Sequence, residues 1–324
     1  MSNKFLKQLR SIVPQENLLT DASECLTYGY DNSRRQAQPL AVIFPINETQ
    51  VQQIVLACNQ YNIPLIARGR GTGTTGATVP INHELIVSFE RMNKITNMDA
   101  DNRSMEVQPG VTNLEIQQCA AKHKLFWAPD PTSAAFCSVG GNLAYNSAGP
   151  RAVKYGTCRE NTLGLRAITG NAEIIQCGTH TTKGVVGYDL TRLIIGSEGN
   201  LALITQASLK LLPLPTAKHT IKASYNSVDA AARAVSNIMS QPITPCALEF
   251  MDKNALDMVR DYSTVKLPTN AAAMLMIEVD GHPETIQKES ELLISACKVD
   301  GYIDCELAQT KDEASALWQT RKAL

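Results

Sequence analysis

Apolar residues in the first part of the chain follow two spacings that predict a strand, a helix and a second strand. A short apolar run at residues 41–44 predicts the first strand, and another at 65–67 predicts the second. Between them, apolar side chains recur at helical spacing from Val51 to Cys58, and Thr49 is placed to begin the helix. The pattern therefore predicts a β-α-β unit that ends directly before a glycine-rich stretch.

The same reasoning extends the predicted helices and strands to residue 211. Thr112 and Glu115 have the spacing of a capping box, which predicts a helix running towards Lys124. The other predicted elements are helices at 4–12, after Asp21 and at 189–195, hairpins at 94–98 with 104–108 and at 163–169 with 173–177, and strands at 84–89 and 201–211. Pro213 and Pro215 then mark a domain boundary.

The pattern changes beyond these prolines, where strand and helix periods alternate in the order β-α-β-β-α-β that is typical of a ferredoxin-like layer. The predicted strands cover 219–224, 246–251, 272–279 and 302–308, and the predicted helices cover 227–239, a segment from Asp252, 284–298 and a segment from Trp318. We therefore predict an α+β protein with a helical lead-in at 1–35, a first domain at 36–215 and a second domain at 216–324.

Composition and charge narrow the class of protein. The chain has 324 residues, of which 44% are hydrophobic, so it can bury a large core. Its net charge of −1 and its lack of a basic block argue against a nucleic-acid partner. No apolar run reaches the ~18 residues of a membrane span, and the N-terminus lacks the apolar core of a signal peptide. We expect a cytoplasmic protein, or one that associates peripherally with the inner membrane.

Nine cysteines are scattered along the chain without C-x-x-C spacing. This arrangement is typical of free thiols in a reducing compartment and of neither a disulfide framework nor a zinc site. The histidines also lack metal-ligand spacing, so we predict no metal site in this chain. They are His83, His123, His180, His219 and His282.

Two glycine-rich segments carry the candidate chemistry. The first runs from Pro64 to Gly76 and the second from Pro129 to Asn142. Both combine closely spaced glycines with serine or threonine, which lets the backbone approach a phosphate and direct N–H groups at it. Together they predict a nucleotide held between two segments.

The first segment contains a G-x-G-x-x-G pattern at Gly71, Gly73 and Gly76, so it must be compared with the dinucleotide fingerprint. That fingerprint requires a helix directly after the glycines. The residues that follow instead contain Pro80 and then the strand pattern at 84–89. We therefore expect phosphate to bind loop amides, with a nicotinamide-dependent Rossmann protein as the alternative.

The second glycine-rich segment continues as a region rich in glycine, proline and asparagine up to Arg159. Its length is unusual for a connection within a domain, which predicts an irregular segment wrapped on a ligand. The alternative is that its glycines only form turns.

Several linked motifs resemble those of the FAD-linked oxidases over essentially the whole chain. They are Arg68-Gly-x-Gly-Thr-Gly73, Pro129-Asp-Pro-Thr-Ser133, Val139-Gly-Gly-Asn142, Asn146, Lys154-Tyr-Gly156, Leu163-Gly-Leu165, Gly187-Tyr-Asp-Leu190 and Gly196-Ser-Glu-Gly199. The pattern is similar to the branch of glycolate oxidase subunits, D-lactate dehydrogenases and D-2-hydroxyglutarate dehydrogenases. This resemblance implies a PCMH-type FAD-binding domain of two subdomains, followed by an incomplete ferredoxin-like α+β cap domain.

The resemblance also implies that backbone segments of both glycine-rich regions bind FAD, with the pyrophosphate on the first loop. The implied cofactor-binding residues are Arg68, Gly69, Arg70, Gly71, Thr72, Gly73, Thr74, Pro131, Thr132, Ser133, Ser138, Gly140, Gly141, Asn142, Asn146, Gly149, Gly199 and Ile204. Members that tether FAD through the first loop carry a histidine there, and this loop has none, which implies non-covalent FAD. Arg68 and Arg70 either neutralise phosphate charge or are solvated loop arginines.

The reaction implied is dehydrogenation of a small 2-hydroxy acid, of the D-lactate, glycolate or D-2-hydroxyglutarate type, with hydride transfer to flavin N5. A quinone, a cytochrome or another electron carrier would be the acceptor. Arg321 matches the position of a family arginine that resembles a carboxylate ligand, a task for which a guanidinium is well suited. The alternative for Arg321 is a surface arginine.

Family members continue beyond the position of Leu324, through a basic residue and a His-x-Gly-Asp-Gly-Asn-x-His segment that supplies metal ligands and a catalytic histidine. We therefore expect a C-terminally truncated chain and assign no catalytic base within it. Two functional classes stay open. The first is an FAD-dependent 2-hydroxy-acid dehydrogenase, and the second is a flavin-binding but catalytically incomplete fragment.

Overall fold

A computed structural model describes residues 2–181, 183–261, 263 and 267–322, and these fall into two units. The first unit consists of Met1–Ala148 and Thr157–Pro213, and the second of Gly149–Gly156 and Leu214–Leu324. The short segment 149–156 thus belongs to the second unit, although both of its neighbours in sequence belong to the first.

The first unit begins with a four-stranded sheet that is flanked by helices. Its elements are α1 (Ser2–Ile12), a 3₁₀ turn (Gln15–Asn17), β1 (Leu18–Leu19), α2 (Ala22–Leu26), β2 (Ala41–Ile43), α3 (Glu48–Tyr61), β3 (Leu65–Arg68) and β4 (Leu85–Ser88). The strand order is β1-β2-β4-β3, with β2 and β3 parallel to β4. Apolar side chains of α1, including Phe5 and Leu9, pack with those of α3, including Val51 and Ile54, to form its core.

The predicted β-α-β unit is confirmed, but its helix begins earlier than expected. Asn47 is the N-cap, and its side chain accepts a hydrogen bond from the backbone N–H of Gln50. Thr49 therefore lies inside the first turn. The helix ends at Asn62, whose φ of +52° lies in the left-handed region that asparagine tolerates.

The first unit continues with a five-stranded antiparallel sheet. Its elements are β5 (Ile95–Asp99), β6 (Ser104–Val107), α4 (Asn113–Ala121), β7 (Leu125–Phe126), α5 (Val139–Tyr145), β8 (Thr162–Thr169), β9 (Ile174–Gly178), α7 (Leu190–Ile194), β10 (Ala202–Lys210) and β11 (Leu212–Pro213), while α6 (Ala152–Tyr155) belongs to the second unit. The order is β5-β6-β10-β8-β9, and β11 pairs with β7. Both predicted hairpins and the capping box at Thr112 and Glu115 are confirmed.

The prediction that residues 129–159 are irregular was wrong, because α5 and α6 lie within them. Ser138 caps α5 by accepting a hydrogen bond from the backbone N–H of Gly141. Gly140 lies against Pro109, where a Cβ atom would come within 2.5 Å of the Cβ of Pro109. Gly140 therefore permits α5 to lie close to Pro109. The glycine-rich composition alone did not distinguish such a helix from a loop.

The second unit contains a four-stranded antiparallel sheet with helices. Its remaining elements are β12 (Ala217–Tyr225), α8 (Val228–Met239), β13 (Ala247–Asp252), α9 (Lys253–Val259), β14 (Ala273–Gly281), α10 (Ile286–Ala296), β15 (Tyr302–Leu307) and α11 (Lys311–Lys322). The order β13-β14-β12-β15 confirms the ferredoxin-like prediction. One sheet face packs on α8 and α10 through residues such as Ile221, Ile277 and Leu293.

The last helix, α11, begins seven residues before the predicted start at Trp318. Thr310 Oγ1 accepts a hydrogen bond from the backbone N–H of Glu313, and Glu313 Oε2 accepts one from the backbone N–H of Gln309. A threonine followed three residues later by glutamate is the sequence signal for this start. The residues after this signal have only weak apolar spacing, so the periodicity of apolar residues did not reveal the start of α11.

Membrane spans and cysteine bonding can be assessed for the described residues. None of the helices formed by these residues combines the length and the apolar character that a bilayer crossing requires. All nine cysteines are free thiols, and six of them are buried.

Glu48 at the start of α3 joins the two sheets of the first unit. Arg166 Nη2 lies 2.6 Å from Glu48 Oε1, and the Thr205 hydroxyl donates to Oε2 at 2.7 Å. Burial alone would raise the pKa of Glu48, but the hydrogen bonds from Arg166 and Thr205 and the charge of Arg166 outweigh it and lower the pKa. The carboxylate therefore adds stability that is present above its unfolded pKa of about 4.3 and is lost as the pH falls through the lowered folded value.

We expect Glu48→Gln to be less stable than the wild type near neutral pH, because it loses the charge that pairs with Arg166. The expected difference in the free energy of unfolding is only about 1 kcal/mol, because the pair is partly exposed. The difference should narrow as the pH falls from about 4.3, the unfolded-state pKa, through the lowered pKa of the folded state, at which the folded wild-type carboxylate becomes protonated. Urea unfolding curves of both proteins at several pH values measure this difference. A gap that stays constant down to the acid end of the series would contradict the assignment.

Candidate functional site

A cavity of about 270 Å³ lies in the first unit and is lined by most of the predicted cofactor-binding residues. The predicted residues that line it are Arg68, Gly69, Arg70, Gly71, Thr72, Gly73, Thr74, Pro131, Ser133, Ser138, Gly140, Gly141, Asn142, Gly199 and Ile204. The two glycine-rich segments, which are about seventy residues apart, thus meet at one site.

Three of the predicted cofactor residues and Arg321 do not line this cavity. Gly149 and Arg321 are residues of the second unit, whereas the cavity lies in the first unit. Asn146 ends α5 in the left-handed conformation, and its Oδ1 accepts hydrogen bonds from the Thr157 hydroxyl at 2.8 Å and from the backbone N–H of Arg159 at 3.2 Å. These contacts give Asn146 a structural task beside the cavity. Thr132, the third predicted cofactor residue outside the lining, lies between Pro131 and Ser133, which both line the cavity.

The first glycine-rich loop reaches the cavity directly from the end of β3. All residues between β3 and β4 are described, and no helix occurs among them, as predicted. The dinucleotide fingerprint therefore lacks the helix that a Rossmann site requires. Within the described part of the chain, we find no hydrogen-bond acceptor for the backbone N–H groups of residues 70–74. Because residues 70–74 also line the cavity, their backbone N–H groups are available to bind an anion there.

Gly71 adopts a φ of +67°, which lies in the left-handed region that favours glycine. A Cβ atom at this position would lie 2.3 Å from Nη2 of Arg68. The loop therefore folds closely over the Arg68 guanidinium.

Arg68 is buried, so the alternative of a solvated loop arginine was wrong for this residue. Its Nη1 donates to the carbonyl oxygen of Tyr30 at 2.8 Å and to the Thr78 hydroxyl at 3.3 Å. Burial is the largest influence and lowers the pKa of Arg68, while the nearby Asp31 carboxylate opposes this shift. Arg68 thus holds the base of the loop and keeps a positive charge beneath it.

Arg70 is more exposed than Arg68. Its side chain is 41% exposed, and Nη1 lies 3.6 Å from Glu90 Oε2. A pair this open to water is weakly held, so the Arg70 guanidinium can exchange Glu90 for another anion.

The structure adds cavity residues that sequence reasoning missed. Asp31 is buried, and its Oδ2 accepts a hydrogen bond from the backbone N–H of Gly76 at 3.0 Å, which fixes the far end of the loop. Tyr145 lies at the cavity, with its hydroxyl 3.3 Å from Thr74 Oγ1. Glu198 accepts a hydrogen bond from the Thr75 hydroxyl at 3.0 Å. Tyr145 and Glu198 lie within or beside the quoted motifs, whereas nothing in the sequence near Asp31 points to this role.

The second unit carries polar side chains on the sheet face opposite α8 and α10. Arg321 Nε donates to Glu249 Oε2 at 2.7 Å, and the Arg321 side chain is 35% exposed. The Trp318 indole N–H donates to Glu278 Oε2 at 2.9 Å. Arg321 on α11 is therefore partly buried and paired with a carboxylate of β13.

Asp280, on the same face, fastens segment 149–156 within the second unit. Its Oδ1 lies 2.5 Å from Lys154 Nζ, and its Oδ2 accepts a hydrogen bond from the Tyr155 hydroxyl at 2.7 Å. Burial is the largest cause that raises the pKa of Tyr155, and the Asp280 carboxylate adds to it. The Lys154-Tyr-Gly156 motif therefore has a structural partner in β14.

Comparison with known proteins gives matches to both parts of the chain. A model of the FAD binding domain matches residues 39–178, and a model of the C-terminal domain of FAD linked oxidases matches residues 214–324. The chain is 39% identical over 318 residues to the glycolate oxidase subunit GlcD of Bacillus subtilis, covering 98% of this chain and 68% of that protein. It is 31% identical over 333 residues to a D-lactate dehydrogenase of Anaerostipes hadrus, covering 99% and 69% respectively.

A solved structure supports the same fold. An alkyldihydroxyacetonephosphate synthase superposes with a TM-score of 0.82 at 20% identity, covering 98% of this chain and 64% of that one. The chain spans about two thirds of the length of the proteins that it matches.

The cavity residues fit the chemistry of FAD. The free N–H groups of residues 70–74 suit a pyrophosphate, and the hydroxyls of Thr72, Ser133 and Ser138 supply further hydrogen-bonding groups. Phe89 and Leu203 add apolar surface for the aromatic parts of the cofactor. The fold, the motifs and the matches over nearly the whole chain agree, and the chain therefore belongs to the FAD-linked oxidases, with FAD as its cofactor.

Proposed function

We propose that the chain oxidises a small 2-hydroxy acid, of the D-lactate, glycolate or D-2-hydroxyglutarate type, to the corresponding 2-oxo acid. Bound non-covalently, FAD supplies the hydride acceptor at its N5 atom. The names of the glycolate oxidase subunit and the D-lactate dehydrogenase that the chain resembles support this substrate class. The structural observation that carries the proposal is one cavity lined by residues 70–74, whose backbone N–H groups have no acceptor among the described residues, and by residues of the Ser138–Asn142 segment.

The residues proposed to hold FAD are those of the two glycine-rich segments. The backbone N–H groups from Arg70 to Thr74 bind the pyrophosphate, because consecutive amides stabilise negative charge without a helix. Arg68 adds positive charge from beneath the loop. We assign Pro131–Ser133 and Ser138–Asn142 to the ribityl chain and flavin, and Gly199 to Ile204 to the adenine end, with Asn146 and Gly149 in the same wrap.

Arg321 is the proposed ligand of the substrate carboxylate. A guanidinium binds a carboxylate through two parallel hydrogen bonds, which fixes orientation as well as charge. Its partner Glu249 occupies Nε, and the terminal nitrogens are not engaged by any hydrogen bond that we find among the described residues. We propose no catalytic base and no metal ligand within this chain.

The remaining assignments follow from the same family resemblance. We propose residues 1–35 as a lead-in, residues 36–215 as the FAD-binding domain and residues 216–324 as the cap domain. A quinone, a cytochrome or another electron carrier is the proposed acceptor, and the proposed location is the cytoplasm or the surface of the inner membrane.

Visible absorption of the FAD-loaded chain under anaerobic conditions tests this function. We expect the flavin band at about 450 nm to bleach on addition of D-lactate, glycolate or D-2-hydroxyglutarate. The L-enantiomer of lactate is a matched control for stereochemistry. A band that persists with every acid would favour the flavin-binding but catalytically incomplete fragment instead. A chain that takes up no FAD would contradict the cofactor site itself.

A further inference from the structure

The side chain of Arg321 is held at one of its two hydrogen-bonding edges. Its Nε–H donates to Glu249 Oε2 at 2.7 Å, and the Glu249 side chain is only 17% exposed. Among the residues that the structure describes, we find no other hydrogen bond to the Arg321 guanidinium. The contact joins residues that are 72 positions apart in sequence.

A second contact fixes the helix that carries Arg321. Trp318 and Arg321 are three residues apart on α11, so they lie on the same face of the helix. The Trp318 indole N–H donates to Glu278 Oε2 at 2.9 Å. Glu278 is opposite Ala247 in the pairing of β13 with β14, so Glu249 and Glu278 lie on the same face of two neighbouring strands. Two carboxylates therefore hold one face of α11.

The chemistry of guanidinium explains why this arrangement matters. The group is planar and carries two edges that can each bind a carboxylate, one formed by Nε and an Nη and the other by the two Nη atoms. Glu249 uses Nε, which leaves the terminal edge for a second carboxylate. The partner at Nε also restricts the rotation of a long side chain that is otherwise costly to order.

We propose that Glu249 is a positioning residue, which orients the Arg321 guanidinium so that its terminal nitrogens receive the substrate carboxylate. This inference rests on the proposed function, which assigns Arg321 to that carboxylate. Glu249 acts only through Arg321, and it affects substrate binding more than the chemical step.

Four variants of the FAD-loaded chain test this role, namely Glu249→Ala, Glu249→Gln, Arg321→Lys and Glu306→Gln. Glu306 is the matched control, because it pairs with Lys222 on the same sheet at 2.8 Å, is 66% exposed and, among the described residues, has no hydrogen bond or ion pair to Arg321. KM and kcat for the acid that bleaches the flavin are measured, together with the Kd of its 2-oxo acid by calorimetry.

We expect Glu249→Ala to raise KM and Kd about tenfold and to change kcat less than about twofold. This pattern indicates the loss of an interaction that stabilises the bound substrate and the transition state equally. Glu249→Gln should recover part of the loss, because its amide oxygen still accepts the Nε–H. Arg321→Lys should raise KM and Kd at least as much, and Glu306→Gln should match the wild type. Tryptophan emission and thermal unfolding show whether α11 stays in place, and Glu249→Gln serves if the alanine variant does not fold.

Wild-type KM and Kd in both folded Glu249 variants, with both values raised in Arg321→Lys, would overturn the positioning role and leave the proposed function standing. Wild-type values in Arg321→Lys as well would overturn the assignment of Arg321 to the substrate. A wild-type chain that binds FAD but neither the hydroxy acids nor their oxo acids would overturn both.

Discussion

Replacing Gly71 by valine should weaken FAD binding about 30- to 150-fold. Its φ of +67° is unfavourable for a residue with a branched side chain, and its Cβ would lie 2.3 Å from Arg68 Nη2. Arg68 cannot move easily, because it is buried and donates to Tyr30 and Thr78. Backbone strain of this kind costs about 2 to 3 kcal/mol, which the variant avoids by displacing the loop that holds the pyrophosphate.

The measurement is the Kd of FAD for the apoprotein, followed by quenching of flavin fluorescence. Gly187→Val is the matched control, because Gly187 has a φ of +82°, no atom of the described residues within 4 Å of its Cβ position, and no place in the cavity lining. It introduces the same backbone strain but displaces neither the first glycine-rich loop nor any other part of the cavity lining. A folded Gly71→Val chain with the wild-type Kd would show that the first loop does not hold the cofactor.

Replacing Asp280 by alanine should release segment 149–156 within the second unit. The Asp280 side chain is 2% exposed and is the hydrogen-bonding partner of both Lys154 and Tyr155. Its loss removes the carboxylate that pairs with the partly buried Lys154 ammonium and accepts from the Tyr155 hydroxyl, whereas the backbone carbonyl of residue 280 still accepts from Lys154 Nζ at 2.9 Å. We expect this loss to cost about 2 kcal/mol after allowance for the exposure of Lys154. We expect the segment to open about thirtyfold more often.

Amide hydrogen exchange measures this opening directly. Within segment 149–156, the backbone N–H groups of Ala152, Tyr155 and Gly156 are hydrogen-bonded in the short helix α6, so their protection reports on the segment. Peptides from α8 provide an internal control, and Glu306→Gln provides a control for the loss of an exposed carboxylate. Unchanged protection in Asp280→Ala would mean that other contacts hold the segment.

The elements that the sequence predicted correctly depend on neighbours in the chain. Apolar spacing identified the β-α-β unit, both hairpins and the order of the second unit, because residues two or four positions apart share a face of a strand or helix. The capping box at Thr112 was readable because both of its hydrogen bonds span three residues. The first glycine-rich loop was readable as a candidate phosphate site because its glycines are close together in sequence.

The errors concern elements whose formation depends on distant contacts or on a weak pattern. The helix α5 was missed because paired glycines are poor helix formers, and the close approach of Gly140 to Pro109 is a tertiary contact. The burial of Arg68 was equally invisible, since Tyr30 lies 38 residues before it in the chain.

The sequence by itself determined the α+β class, the ferredoxin-like order and the two glycine-rich segments of an FAD-linked oxidase, because each depends on composition and on spacing along the chain. Only the tertiary structure decided that these segments line one cavity, that Glu249 pairs with Arg321, and that Asp280 holds Lys154 from 126 residues away. Local spacing specifies which elements form, but long-range packing specifies which charged side chains face each other.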